Sequence, residues 1–128
     1  MRIEHFAVWT RDLERLRAFY ERYFEVTSGE RYESATTLGF VSYFLTFSSG
    51  GARLELMLLP ELAPAPSQPA AGYPHYALSV GSREKVESLT ERMRADGVQI
   101  VSEARTTGDG YFESVVADPD GNLIELTV

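Results

Sequence analysis

The sequence predicts an α+β fold built from two paired βαβββ modules, with curled sheets around a cavity and the helices on the outer face. Three observations carry that expectation. A shift of 70 residues lays one half on the other: Phe6, Ala7 and Val8 fall on Tyr76, Ala77 and Leu78, Leu54 and Leu56 on Ile124 and Leu126, and Leu16, Phe19 and Tyr23 on Val86, Leu89 and Met93. Within each half one helix-period segment is followed by runs of strand-like alternation. Between the halves stand Pro60, Pro64, Pro66, Pro69 and Pro74 in a background of Ala, Ser, Gln and Gly, a composition that favours an extended, semi-rigid linker. A chain of 128 residues is one domain's worth, sufficient for two small modules with a shared interface. The expected division is module one over 1–59, linker over 60–74 and module two over 75–128.

Taken in order, Ile3 to Trp9 reads as a strand. Asp12 can cap a helix whose apolar positions Leu13, Leu16, Phe19, Tyr20, Tyr23 and Phe24 follow the helical period. Strand-like runs follow near Glu30 to Ser34, Phe40 to Phe47 and Ala52 to Leu59, with Ser48, Ser49, Gly50 and Gly51 as turn formers between the last two. In the second half Ser82 caps a helix that carries Val86, Leu89 and Met93 on one stripe and stops at Gly97, a residue suited to the left-handed position after a helix. Strands are expected over Val98 to Glu103, Tyr111 to Ala117 and Asn122 to Val128, so each half reads β-α-β-β-β. The aromatic run Phe40, Tyr43, Phe44 and Phe47 could line a pocket, but a strand so rich in aromatics more commonly belongs to the core.

Composition narrows the partners. Twelve Lys and Arg against 19 Asp and Glu give a net charge of −7, which argues against nucleic acid and anionic membranes, because phosphate binding requires a basic patch. Small molecules and proteins remain. The absence of cysteine excludes disulfides, thiolate metal sites and a cysteine nucleophile. No run approaches the ~20 apolar residues of a membrane span, and the N-terminus lacks a signal-peptide core. The expectation is a soluble, cytoplasmic protein.

The same shift of 70 carries His5 onto His75 and Glu55 onto Glu125. Side chains alternate faces along a strand. His5 therefore lies opposite Phe6 and Val8, Glu55 opposite Leu54, Leu56 and Leu58, His75 opposite Tyr76, Leu78 and Val80, and Glu125 opposite Ile124, Leu126 and Val128. All four point away from the apolar set that would pack on the helices. Alone, a strand histidine is usually a hydrogen-bonded, half-buried residue and a strand glutamate a solvated one; Arg53 could pair with Glu55 across the pleat. The joint pattern outweighs those readings, since the chain's two histidines agree in repeat position, face and flanking residues. A His2Glu2 set without sulfur suits a borderline or harder divalent ion: nickel, cobalt, zinc, manganese or ferrous iron. Four protein ligands leave two positions of an octahedral site for vicinal oxygens of a substrate, with a carboxylate nearby to move a proton.

The repeated β-α-β-β-β module, the His and Glu placements, and the stretches GYPHYALSV and DPDGNLIELTV resemble the vicinal oxygen chelate superfamily, most closely its glyoxalase I branch. The resemblance spans nearly the whole chain. It implies a homodimer whose metal sites take ligands from both chains, Glu125 as the catalytic base and Glu55 as its counterpart across the substrate. It also implies departures. In the glutathione-dependent enzymes an arginine follows the first ligand by four residues and an asparagine follows the Glu55-type ligand by four; here Trp9 and Leu59 stand there. Two apolar groups cannot pair with glutathione's carboxylate and peptide. With Met57 they form an apolar substrate wall suited to a smaller or more apolar α-oxygenated compound.

The expected function is a metal-dependent lyase or isomerase of the glyoxalase type acting on such a substrate. Two alternatives stay open. A ring-cleaving dioxygenase of the superfamily would use ferrous iron with two His and one Glu, and a fourth ligand at Glu55 weighs against it. A non-catalytic resistance protein would sequester a planar drug; Trp9 suits that role, whereas a complete ligand set is unnecessary for it.

Overall fold

The computed structural model describes residues 1–63 and 71–128. Pro64, Pro66 and Pro69, on which the linker expectation partly rests, lie outside the described residues. The chain divides into two compact units, Met1–Pro64 and Ala65–Val128. The first contains β1 (His5–Trp9), α1 (Leu13–Tyr23), β2 (Val26–Ser28), β3 (Tyr32–Glu33), β4 (Val41–Phe47) and β5 (Arg53–Leu58). The second contains β6 (His75–Ser79), α2 (Arg83–Ala95), β7 (Ile100–Thr106), β8 (Phe112–Ala117) and β9 (Leu123–Thr127). Each is a mixed sheet with one helix, as expected of an α+β module, and neither sheet is a closed barrel. The strand orders are β1-β5-β4-β2, with β3 also on β4, and β6-β9-β8-β7. In each unit the first strand runs parallel to the last, and a parallel pair requires a crossover, which begins with the helix.

The helices start and stop where their caps dictate. The Asp12 carboxylate accepts the Arg15 N–H at 3.0 Å and the Ser82 hydroxyl accepts that of Lys85 at 3.3 Å, each satisfying a donor that the first turn leaves unpaired. At the end of α2, Gly97 takes φ +82. Its N–H reaches the Arg94 carbonyl at 3.0 Å and the Val98 N–H reaches that of Met93 at 2.9 Å, the paired bonds of a Schellman ending.

Alternation in the strands sorts core from surface as the sequence indicates. Leu54 and Leu56 in β5 and Ile124 and Leu126 in β9 are fully buried. α1, which buries Leu16 and Tyr20, packs on β5 and β2; α2, which buries Val86 and Met93, packs on β7, β8 and β9. In β4, Tyr43 joins the core and donates its hydroxyl to Glu14 at 2.9 Å. The corresponding position of β8 is Ser114, whose hydroxyl pairs with Thr90 at 2.7 Å inside the second unit.

Two sequence expectations change. The strand expected near Glu30 to Ser34 is the two-residue β3, and a further strand, β2, precedes it, with the Gly29 N–H bonding the Phe44 carbonyl at 2.8 Å between them. Phe24 continues the apolar helical period but is the helix's C-cap, so the chain turns into β2 two residues later. The repeat offset is also not uniform. Leu56 and Leu126 differ by 70, but their ladder partners Tyr43 and Ser114 differ by 71, so the second hairpin is one residue shorter.

Gly39 illustrates a local constraint with a measurable cost. It holds φ +76, and a Cβ there would meet the Pro60 ring at 2.5 and 2.8 Å. Gly39→Ala is expected to destabilise the protein by about 1–3 kcal/mol, through left-handed backbone strain and displacement of Pro60; urea unfolding measures it. Among the described residues no helix is long and apolar enough to cross a membrane.

Candidate metal and proton-transfer site

The ladder registers bring His5 to Glu55 and His75 to Glu125. In the parallel pair of β1 and β5, His5 lies opposite Arg53 and Ala7 opposite Glu55; in that of β6 and β9, His75 lies opposite Leu123 and Ala77 opposite Glu125. Each histidine is therefore a diagonal neighbour of its glutamate, on the sheet face turned away from the core. Imidazole Nε2 to carboxylate Oε2 is 3.9 Å for His5 and Glu55 and 3.6 Å for His75 and Glu125. The histidine side chains are 41% and 46% exposed, the glutamates 15% and 18%. The half-buried carboxylates thus sit deeper than the imidazoles in both copies.

Those separations exceed a hydrogen bond. They match two donors on one cation: ligands about 2.0–2.2 Å from a common ion stand between about 3 and 4.2 Å apart, depending on the angle. The donor chemistry, imidazole nitrogen with carboxylate oxygen, suits a borderline divalent ion. Each unit by itself offers two donors, and no group of three or more His, Cys, Asp or Glu able to hold a metal ion occurs among the described residues.

The carboxylates of the site are tuned differently. Burial pushes the Glu125 carboxyl above its ordinary range, the Glu113 charge adds to the effect, and His75 opposes it. Glu113 lies on β8, two positions from Val115, which is the ladder partner of Glu125. A carboxylate raised in this way is a stronger proton acceptor than an ordinary glutamate. Glu4, just before β1, is held below the usual carboxyl range by its hydrogen bond with His5 and then by Arg53. Arg53, which the sequence allowed as a partner for Glu55, donates instead to Glu4 from Nε at 3.0 Å.

The proposed substrate wall is divided along the same face. Trp9 lies opposite Met57 in the β1–β5 register, is 44% exposed and stands edge-on to Phe40 with centroids 6.2 Å apart. Leu59, half-buried, follows the end of β5. Two residues near the site lie outside the repeated His–Glu set: Phe44, the ladder partner of Glu55, and Glu4, which meets His5. The signal for Phe44 was present in period-two alternation, which puts Tyr43 and Phe44 on opposite faces. Glu4 carried no such signal.

Comparison with known proteins agrees with this architecture. The chain is similar in fold to a glyoxalase family protein from Enterococcus faecalis, with 22% identity, a TM-score of 0.81 and coverage of 99% of this chain and 97% of that one. It is similar to the trypanothione-dependent glyoxalase I of Leishmania major, with 25% identity, a TM-score of 0.78 and coverage of 99% and 86%. It is also similar to the fosfomycin resistance protein FosX of Listeria monocytogenes, with 20% identity, a TM-score of 0.71 and coverage of 98% and 89%. No curated protein matches the sequence. The model of one family, the Glyoxalase/Bleomycin resistance protein/Dioxygenase superfamily, matches residues 2–126. With a match over nearly its entire length, the chain belongs to that superfamily.

Proposed function

We propose that this protein is a metal-dependent lyase or isomerase for a small substrate with oxygens on neighbouring carbons. His5, Glu55, His75 and Glu125 are its ligands, and it works as a homodimer whose sites draw ligands from both chains. The observation that carries this reading is the repeated His–Glu pair, alike in register and face, with separations of 3.9 and 3.6 Å. A bound divalent ion, nickel, cobalt or zinc before manganese or iron, would polarise the two oxygens and acidify the C–H of the oxygen-bearing carbon next to the carbonyl. Both imidazoles present Nε2 toward their carboxylates. Glu125, whose proton affinity is raised by burial and by Glu113, takes the proton from carbon and returns it to the neighbouring carbon. Glu55 occupies the equivalent place in the other half of the ligand set. Trp9, Met57 and Leu59 hold the apolar part of the substrate and supply no cation or amide for a glutathione tail.

The experiment is carbon-bound hydrogen exchange. Metal-loaded protein is incubated in D2O with a panel of α-hydroxy and α-keto aldehydes and ketones, with and without glutathione. The expected result is metal-dependent deuterium at the carbon beside the oxygens, without a requirement for glutathione. With methylglyoxal and glutathione together, weak or no lyase turnover is expected. No exchange across the panel, or exchange independent of metal, contradicts the proposal.

A drug-sequestering role is the second reading, favoured by the exposed Trp9 beside Phe40. Tight binding of a planar aromatic drug by metal-free protein, with no exchange chemistry, would replace the first reading by this one. Oxygen uptake with catechols on ferrous protein would point instead to ring cleavage.

A further inference from the structure

The two histidines share a register but differ in what stands behind them. His5 Nδ1 meets Glu4 Oε2. The other oxygen of Glu4 accepts from Arg53 Nε at 3.0 Å, and the Arg53 backbone N–H bonds the Glu4 carbonyl at 3.0 Å. The guanidinium carbon of Arg53 lies 4.1 Å from the centroid of the Phe44 ring. Phe44 in turn stands edge-on to the His5 imidazole, with centroids 5.3 Å apart and planes at 88°. Four side chains therefore close a ring: imidazole, carboxylate, guanidinium, phenyl. An isolated surface ion pair fixes little, but here each member is held from two sides.

The chemistry of the ring selects a tautomer. An ionised carboxylate only accepts, so Nδ1 must carry the proton that joins it to Glu4. In the neutral imidazole this leaves Nε2 as a lone pair, facing Glu55 Oε2 at 3.9 Å. Two acceptors facing one another are unfavourable alone and become favourable with a cation between them. Among the described residues the second copy lacks the device. Pro74 stands at the place of Glu4 and Leu123 at that of Arg53, while Val115 is the register counterpart of Phe44.

We propose that Glu4, steadied by Arg53 on Phe44, is a positioning residue that fixes His5 as the Nδ1–H tautomer with its Nε2 lone pair toward Glu55. This makes His5 the pre-organised imidazole of the ligand set and His75 the freer one. Outer carboxylates behind a ligating histidine act in this way, fixing the ring and raising its donor strength. The consequence for affinity rests on the metal reading above; the tautomer does not.

The test uses the full chain. Long-range ¹H–¹⁵N spectra of metal-free protein, at a pH where both imidazoles are neutral, report each tautomer, and His75→Ala assigns the two signals. The expected wild-type result is His5 as Nδ1–H and His75 with the Nε2–H preference of free histidine. Glu4→Ala should return His5 to that preference and leave His75 unmoved, while Glu4→Gln, which keeps an acceptor, should retain part of the effect. Nickel titration should show affinity lowered roughly 10- to 100-fold in Glu4→Ala and less in Glu4→Gln. His5 found as Nε2–H in the wild type, or unchanged in Glu4→Ala, overturns the proposal. A shifted tautomer with unchanged nickel affinity overturns its claim of a tighter ligand. The expected tautomers in a protein that binds no nickel would support the positioning and overturn the metal reading alone.

Discussion

Leu56→Ala should lower the stability of the folded chain by about 2–5 kcal/mol, while its neighbour Glu55→Ala should lower it little and instead remove metal. The two side chains are adjacent in β5 and point to opposite faces. Leu56 is fully buried in the core, so truncation loses the transfer free energy of the deleted atoms and leaves a cavity that close-packed neighbours fill only in part. Glu55 is 15% exposed on the other face, with Nε2 of His5 3.9 Å away. Removing its carboxylate relieves the core of nothing and deletes one of two donors in its unit. Urea unfolding and metal analysis on both variants make a crossed comparison. Equal losses of metal in the two, once corrected for the folded fraction, would show that Glu55 has no ligand role beyond stability.

Glu125→Gln should reduce substrate C–H exchange by about 10²–10⁴, the usual contribution of a positioned general base. The amide keeps nearly the shape of the carboxylate but cannot accept the proton. It also ends the like-charge encounter with Glu113 that helps to raise Glu125, so the variant should fold at least as well as the parent. Weaker metal binding accompanies the change, because a neutral amide is a poorer ligand than a carboxylate. Saturating metal separates the two effects: exchange that stays low when the site is filled identifies Glu125 as the base. Full recovery at high metal would assign it a ligand role only.

Much of this was legible in the sequence because strand alternation and repetition are both local signals. The shift relating His5 to His75 and Glu55 to Glu125 required only counting, and period two gave their faces. Asp12 and Ser82 announced the helix starts by side-chain chemistry, and Gly97 announced an ending that only a left-handed residue completes. What escaped depended on pairing between strands. A hairpin one residue shorter changes the offset from 70 to 71 along β8, and no local pattern in either strand reveals it. Likewise alternation gives Phe44 its face, but only the β4–β5 register makes it the neighbour of Glu55. Glu4 escaped for another reason: alternation places neighbours on opposite faces, yet Glu4 precedes the first residue of β1 and its side chain can turn to meet His5. Arg53, whose place in β5 also allowed a pairing with Glu55, meets Glu4 across the ladder.

Metal content of the purified protein tests the central claim most directly. Element analysis after purification and again after nickel, cobalt or zinc loading should find about one divalent ion per chain, as four ligands per chain require. The loss should be near complete in Glu55→Ala and in Glu125→Ala, each shown to be folded by circular dichroism. A wild-type protein that takes up no divalent ion, or one whose metal is unchanged when both glutamates are replaced, would contradict the account.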